Sequence, residues 1–298
     1  MKKRMLLVCG MIFATSVFGI NPAEEFQSAM KLYSGGKYAE AEEAFVKLSE
    51  QNTSPKSADE SLAYAAYSAG QQKNIDKAME YAGKIKDKSS NTLCRMKLLE
   101  MQRKWDEIIS ISKDEDFDKW PDDMKFKAFL CRGTNYSRIK NAEQAEKDFL
   151  AAGQNTIELE KKALVYESLG NLYREVSKDN QKALDAYGEI VKLMSEPKPS
   201  PSGGYLLRAL VTRAKILASQ GKGEEALSEV GKLKNLEFKD PSWSFAAQFC
   251  YGEVYETIGK NSEALESYRK AAATVNARAE LIENANKKIT ELEKKIGK

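Results

Sequence analysis

The only thiols in the body of the chain are Cys94, Cys131 and Cys250, and no histidine stands anywhere to activate them. Without imidazole the usual general base near neutral pH is missing, as are most zinc ligand sets and the Ser–His and Cys–His pairs of acyl transfer. No Gly-rich phosphate loop, Gly-x-Ser-x-Gly elbow or Cys-x-x-Cys motif occurs. Carboxylates cluster at Asp114-Glu115-Asp116 and Asp122-Asp123. Runs of this kind read as solvated faces, or as first-turn charges that complement a helix dipole. The residue types therefore predict no catalytic set, no metal and no cofactor.

The cysteines instead mark a register. Each lies two residues before a position that recurs along the chain: Met96, Gly133 and Gly252. That position opens a pattern of a small residue, an apolar one three later, an Ala twelve later and a bulky apolar residue four beyond. Gly133/Tyr136/Ala145/Phe149 and Gly252/Tyr255/Ala264/Tyr268 are its clearest copies. Ala29/Leu32/Ala41/Phe45, Ala66/Ala69/Ala78/Ala82 and Ala214/Leu217/Ala226/Val230 are weaker, and Met96/Leu99/Ile108 is the most degraded. The fifth copy, Gly170/Tyr173/Ala183/Tyr187, carries one extra residue, placed here in a turn at Ser177–Asn180. Equivalent positions in different modules lie far apart, so the three cysteines read as buried apolar fillers rather than a disulfide plus a free thiol.

Within a copy the apolar residues step by three and four, the period of an amphipathic helix, as in Phe126, Phe129, Leu130, Gly133 and Tyr136. A break at Lys140-Asn141 separates this helix from a second one carrying Ala142, Ala145, Phe149 and Ala152. Gly35-Gly36, Gly221 and Gly259 mark the same turn in other copies, while Pro22, Pro55, Pro121 and Pro241 stand near helix starts. The chain is thus expected to be all-α, with about seven helix-turn-helix units over 20–194 and 205–275. The run 195–204 holds three of the seven prolines and reads as an exposed loop, either a long insertion or a divider between two arrays. Residues 276–298 carry the stripe Leu281, Ala285, Ile289, Leu292 and Ile296, with Glu283/Lys287 and Glu291/Lys295 as four-residue pairs. A helix covering the last module is expected there, a dimerisation helix being the alternative.

Residues 1–19 open with Lys2-Lys3-Arg4 and continue through an apolar run to Phe18, the layout of a secretory signal peptide. A retained membrane anchor and an acylated Cys9 are the alternatives. The three leading cations account for the whole excess of 47 basic over 44 acidic residues. Net charge thus gives no argument for nucleic acid. Export to the periplasm is the expectation.

The small–aromatic–Ala–aromatic spacing resembles the tetratricopeptide repeat family over nearly the whole chain after the leader. The resemblance implies an α-solenoid in which the small residue and the Ala lie at the crossing of a repeat's two helices. It also implies protein or peptide binding along the concave face formed by the first helices. The subgroup that grips a C-terminal carboxylate does so with a Lys and an Asn one turn apart. The matching pairs here include Leu130/Thr134, Glu167/Asn171 and Val211/Lys215, and none is Lys with Asn. Carried over position by position, the concave face holds Lys127, Arg138, Asn171, Arg174, Arg208 and Lys215, with Glu167 and Glu175 as exceptions. Phe26, Met30 and Tyr33 flank it at one end, and Glu253 and Glu256 at the other. The expected function is a non-catalytic scaffold of the bacterial cell envelope that holds a partner protein or extended peptide. The alternative is direct binding of an anionic envelope polymer, peptidoglycan or an acidic polysaccharide.

Overall fold

A computed structural model describes residues 22–51, 54–195, 204–235 and 240–297. The expected signal peptide over 1–19, with Cys9, and positions 196–203 of the Pro/Ser/Gly run lie outside the described residues. Among the described residues the chain forms fifteen α-helices and no strand. Seven pairs follow one another: α1 (Pro22–Ser34) with α2 (Tyr38–Gln51), α3 (Pro55–Gln71) with α4 (Ile75–Lys84), and α5 (Lys88–Met101) with α6 (Trp105–Ser112). Then come α7 (Asp122–Arg138) with α8 (Ala142–Gln154), α9 (Leu159–Leu172) with α10 (Asn180–Ser195), α11 (Gly204–Ser219) with α12 (Gly223–Gly231), and α13 (Pro241–Thr257) with α14 (Asn261–Ala272). A last helix, α15 (Ala279–Ile296), closes the series. None of the described helices is long and apolar enough to cross a membrane.

The chain divides into two compact units, one ending at Met101 and the other beginning at Gln102. The boundary falls inside the third and most degraded copy. In the first unit Ala66, Ala69, Ala78 and Ala82 are completely buried and let α3 and α4 approach closely, while Phe45 fills the space between α2 and its neighbours. Glu42 is buried there too. It accepts hydrogen bonds from Tyr81 Oη (3.0 Å) and Gln72 Nε2 (2.7 Å), and Lys77 Nζ lies at 2.6 Å. A buried carboxylate is tolerated only with such partners.

The turn between the two helices of a pair places one residue in the left-handed region in every copy. Gly36, Lys73, Arg103, Lys140, Lys178, Gly221 and Gly259 all have φ between 58° and 80°. The residue after each opens the second helix. In the Gly36, Lys73, Lys140, Gly221 and Gly259 turns its amide bonds back to the carbonyl five residues earlier. That left-handed helix end suits glycine, which three copies have; the other four place a Lys or Arg there at a cost of about 1 kcal/mol. Six of these residues stand seven positions after the copy's small residue, and Lys178 stands eight after Gly170. The extra residue predicted in the Ser177–Asn180 turn is instead absorbed upstream, in a π-helical turn over Tyr173–Ser177. The closing bond there, from Asp179 N to Tyr173 O, correspondingly spans six residues.

The glycines confirm the close helix approach but change its partner. A Cβ on Gly133 would stand 3.0 Å from Phe149 Cδ1 and from Asp148 Cβ, one on Gly170 2.7 Å from Tyr187 Cζ, and one on Gly252 2.5 Å from Tyr268 Cε1. Ala145 and Ala264 are fully buried, yet the glycine makes room for the aromatic four residues further on. The bulky residue therefore packs against the glycine of its own repeat as well as against the following element, as where Phe45 stacks on Tyr64 of the next pair with centroids 5.2 Å apart. Tyr268 also meets Leu292 of α15 in one cluster, and Ala285 joins Phe245 and Ala271 in another. The expected cover over the last pair is present. Its stripe stops short of Ile296, which is 45% exposed. Lys295 reaches Asn261 Oδ1 at 3.3 Å rather than Glu291, and Lys288 pairs with Glu256 at 3.1 Å.

Candidate binding groove

In the second unit the first helices α7, α9, α11 and α13 lie side by side, each in contact with the next. Their flexible cations fall into two groups. Arg132 lies one residue before Gly133 and Asp148 three after Ala145; Arg213 and Glu229 hold the same two places relative to Ala214 and Ala226. Each Arg forms two parallel bonds with its acid, at 2.8 and 2.9 Å in the first case and 3.0 and 3.1 Å in the second. Each also donates to a carbonyl of the preceding pair's second helix: Arg132 Nη1 to Ser112 O at 2.8 Å, and Arg213 Nη1 to Leu184 O. The Arg132 guanidinium further covers the Phe117 ring at 4.2 Å. These arginines join neighbouring repeats.

The six cations and amides expected on the first-helix face are placed differently. Asn171, Arg174 and Arg208 line one groove of about 450 Å³ together with Glu167, Tyr187, Leu207, Val211, Thr212 and Ala246. Lys215 is exposed on α11, 2.7 Å from Glu253 of α13. Lys127 and Arg138 belong to α7 and do not line the groove. Lys127 is exposed, while Arg138 stacks on the Trp105 ring at 4.2 Å and donates to Asn135 Oδ1 at 3.3 Å. The structure thus brings together three of the six.

The acids named as exceptions are the partners of these cations. Arg208 Nε and Nη2 donate to Glu167 at 2.6 and 3.3 Å, with the guanidinium over the Tyr205 ring, and Arg174 Nη2 lies 2.8 Å from Glu175. Each of the groove's two arginines thus has a carboxylate beside it, although only Glu167 of the two acids lines the groove. Tyr187 donates its hydroxyl to Asn171 Oδ1 at 2.8 Å. Burial raises the Tyr187 hydroxyl to about 12, with Glu167 and Glu175 adding to the rise and Arg174 opposing it, so it remains a donor at neutral pH. That bond uses the amide oxygen of Asn171 and leaves its N–H groups for another acceptor.

The π-turn lies directly after Leu172, so Asn171 sits on regular helix and Arg174 within the insertion. Such turns re-aim side chains relative to an uninterrupted helix. Of the apolar floor only Val211 was named in sequence; Leu207, Ala246 and the hydroxyl of Thr212 were missed. They become a site only when α11 lies between α9 and α13. The fifth copy's extra residue was the one visible signal.

Cys94, Cys131 and Cys250 are all buried. Burial pushes the Cys94 and Cys250 thiols up to about 12, far from the range of a reactive thiolate. Among the described residues no group of three or more acidic or cysteine side chains is placed to hold a metal ion.

No family model and no curated protein sequence matches the chain. Solved structures do. A tetratricopeptide repeat protein from Parabacteroides merdae is 14% identical, with a TM-score of 0.51 over 90% of this chain and 98% of its own. An assembly chaperone of RpL4 is 16% identical, with a TM-score of 0.50 over 94% of this chain and 100% of its own. With seven helix pairs in one register, the left-handed turn repeated in each, and these likenesses, the chain has the tetratricopeptide-repeat fold.

Proposed function

We propose that this protein is a non-catalytic interaction scaffold that binds a segment of a partner protein along the first helices of its second unit. The observation that carries the reading is the groove beside α11, where an apolar floor lies among groups that fix orientation: Arg174, Arg208, Asn171 and Thr212. Open grooves of this composition suit extended chain, with the floor supplying area and the polar groups supplying specificity. The basic leader and apolar run of residues 1–19 support export, and the periplasm of a diderm cell is the setting we assign to it. Direct capture of a polyanion is the weaker reading, because Arg208 and Lys215 have carboxylates at 2.6 and 2.7 Å.

Affinity capture from envelope fractions with the full chain tests this. One or a few stoichiometric proteins are expected, depleted when Thr212→Arg fills the groove. Recovery that is equal with the substituted chain, or no recovery at all, contradicts the proposal. Fractionation of cells tests the location.

A further inference from the structure

The first unit carries a face whose chemistry differs from that of the groove. Phe26 and Tyr33 of α1 and Tyr64 and Tyr67 of α3 are half-buried, packed on the core beneath them. Tyr64 stands at the centre. Phe45 stacks on its ring, while Phe26, Tyr33 and Tyr67 stand nearly at right angles to it, at 81°, 78° and 83°. Their ring centroids lie 5.6, 5.9 and 5.7 Å from that of Tyr64. No hydrogen bond among the described residues uses the Tyr33 or Tyr64 hydroxyl. Burial, and after it the Glu60 carboxylate, raises the pKa of the Tyr64 hydroxyl, so it remains a donor at neutral pH. Glu60, one turn before Tyr64, is exposed and joins no ion pair among the described residues. The face thus offers rings, hydroxyl donors and one unpaired acid, while the backbone acceptors inside α1 and α3 are taken up by the helices themselves.

We infer that this face docks a proline-rich segment of a partner protein, one with a Lys or Arg beside its prolines that reaches Glu60. The face shares no residue with the groove beside α11, so the reading of that groove does not depend on it. Closely spaced prolines favour an extended left-handed helix, in which residues two apart advance about 6 Å along the axis. That step is close to the ring spacing around Tyr64. Such a segment has carbonyls free of internal hydrogen bonds and few N–H groups, so it needs donors, which the Tyr33 and Tyr64 hydroxyls supply. An ordinary extended chain also brings N–H groups, which would leave water here without finding an acceptor. Proline rings pack on aromatic surfaces in a conformation already fixed before binding, which lowers the entropy lost. With Glu60 the unpaired charge beside the central ring, a cation next to the prolines is the complement.

The test is fluorine NMR of the full-length protein labelled with 3-fluorotyrosine, titrated with short capped peptides up to millimolar concentration. The first peptide alternates Pro and Ala around a single Lys, the second has Glu in place of that Lys, and the third keeps the Lys but replaces every Pro by Ala. Tyr187, in the groove beside α11, is the internal reference. Saturable shifts at Tyr33 and Tyr64 are expected with the first peptide, and binding about tenfold weaker with the third. The Lys peptide should bind about two- to fivefold more tightly than the Glu peptide, a preference lost in Glu60→Gln. Tyr33→Phe, which keeps the ring, should weaken binding read at Tyr64 by about two- to tenfold. The inference fails if the peptide without prolines binds as tightly as the first, if no peptide shifts the two signals, or if Tyr187 shifts and they do not. It fails equally if the two signals move on dilution of the protein alone, which assigns the face to a second copy. The chain's own prolines are the remaining occupant. If combining Pro197→Ala, Pro199→Ala and Pro201→Ala moves both signals without any peptide, the face belongs to that segment and the inference is overturned.

Discussion

Arg132 grips Asp148 through two parallel bonds of 2.8 and 2.9 Å, with side-chain exposures of only 12% and 4%. Its remaining N–H groups reach Ser112 O and Glu115 O, so one side chain ties α7 to α8 and to the end of the preceding pair. Removing one partner of such a pair strands the other charge out of water. Asp148→Ala should therefore cost about 3–5 kcal/mol in urea unfolding, while replacing both residues by apolar ones of similar volume should cost far less. Equal losses for the single and double variants would contradict this reading.

Glu229 supplies a pH dependence. Burial raises its carboxyl pKa, but the bonds from Arg213 and Lys232 outweigh that and bring it below the ordinary glutamate value. A lowered folded-state value stabilises the protein above about pH 4.3 and is lost as the pH falls through the folded value. Thermal melts between neutral pH and about pH 3 should show stability falling on the acid side. In Glu229→Gln the fall should be shallower, from a lower starting point. An unchanged profile would show that the pair contributes nothing to the acid limb.

Glycine positions should separate cleanly by environment. A Cβ at Gly252 would meet the Tyr268 ring at 2.5 Å, whereas at Gly83, in α4, nothing lies within 4 Å. Gly252→Ala is expected to lose about 1–3 kcal/mol from overpacking, and Gly83→Ala to gain about 0.5–1 kcal/mol of helix stability. Gly133→Leu should destabilise as well, and damage there should spread the unfolding transition more than damage near the end of the series. Melting curves decide both points.

Four turns carry a strained residue that glycine would relieve. Lys140, at φ 62°, is exposed. Lys140→Gly should raise stability by about 0.5–1 kcal/mol, the left-handed strain outweighing glycine's extra unfolded-state entropy. A lower melting temperature would show that the strain is relieved in some other way.

The helix pairs were legible in sequence because the packing depends on residue size at fixed steps, and Gly133, Ala145 and Phe149 are hard to replace there. Even the degraded third copy keeps the register, with Met96 and Ile108 fully buried. The turn was legible at Gly36, Gly221 and Gly259. At Lys73, Arg103, Lys140 and Lys178 nothing in the residue type announces a positive φ. The Arg–acid pairs could have been found by aligning copies, since Arg132 and Arg213 share one register place and Asp148 and Glu229 another. What sequence could not give was the ion pairing in the groove. Arg208 and Glu167 are 41 positions apart and meet only because α9 and α11 are neighbours.

The central claim, that partner chain lies in the groove beside α11, is tested most directly by site-specific photocrosslinking in cells. A photoreactive phenylalanine analogue at Val211 should yield a discrete higher-mass product, whereas the same group at Lys147, exposed on the second helix α8, should yield none. A product from Lys147 with none from Val211 would place the binding surface elsewhere and contradict the account.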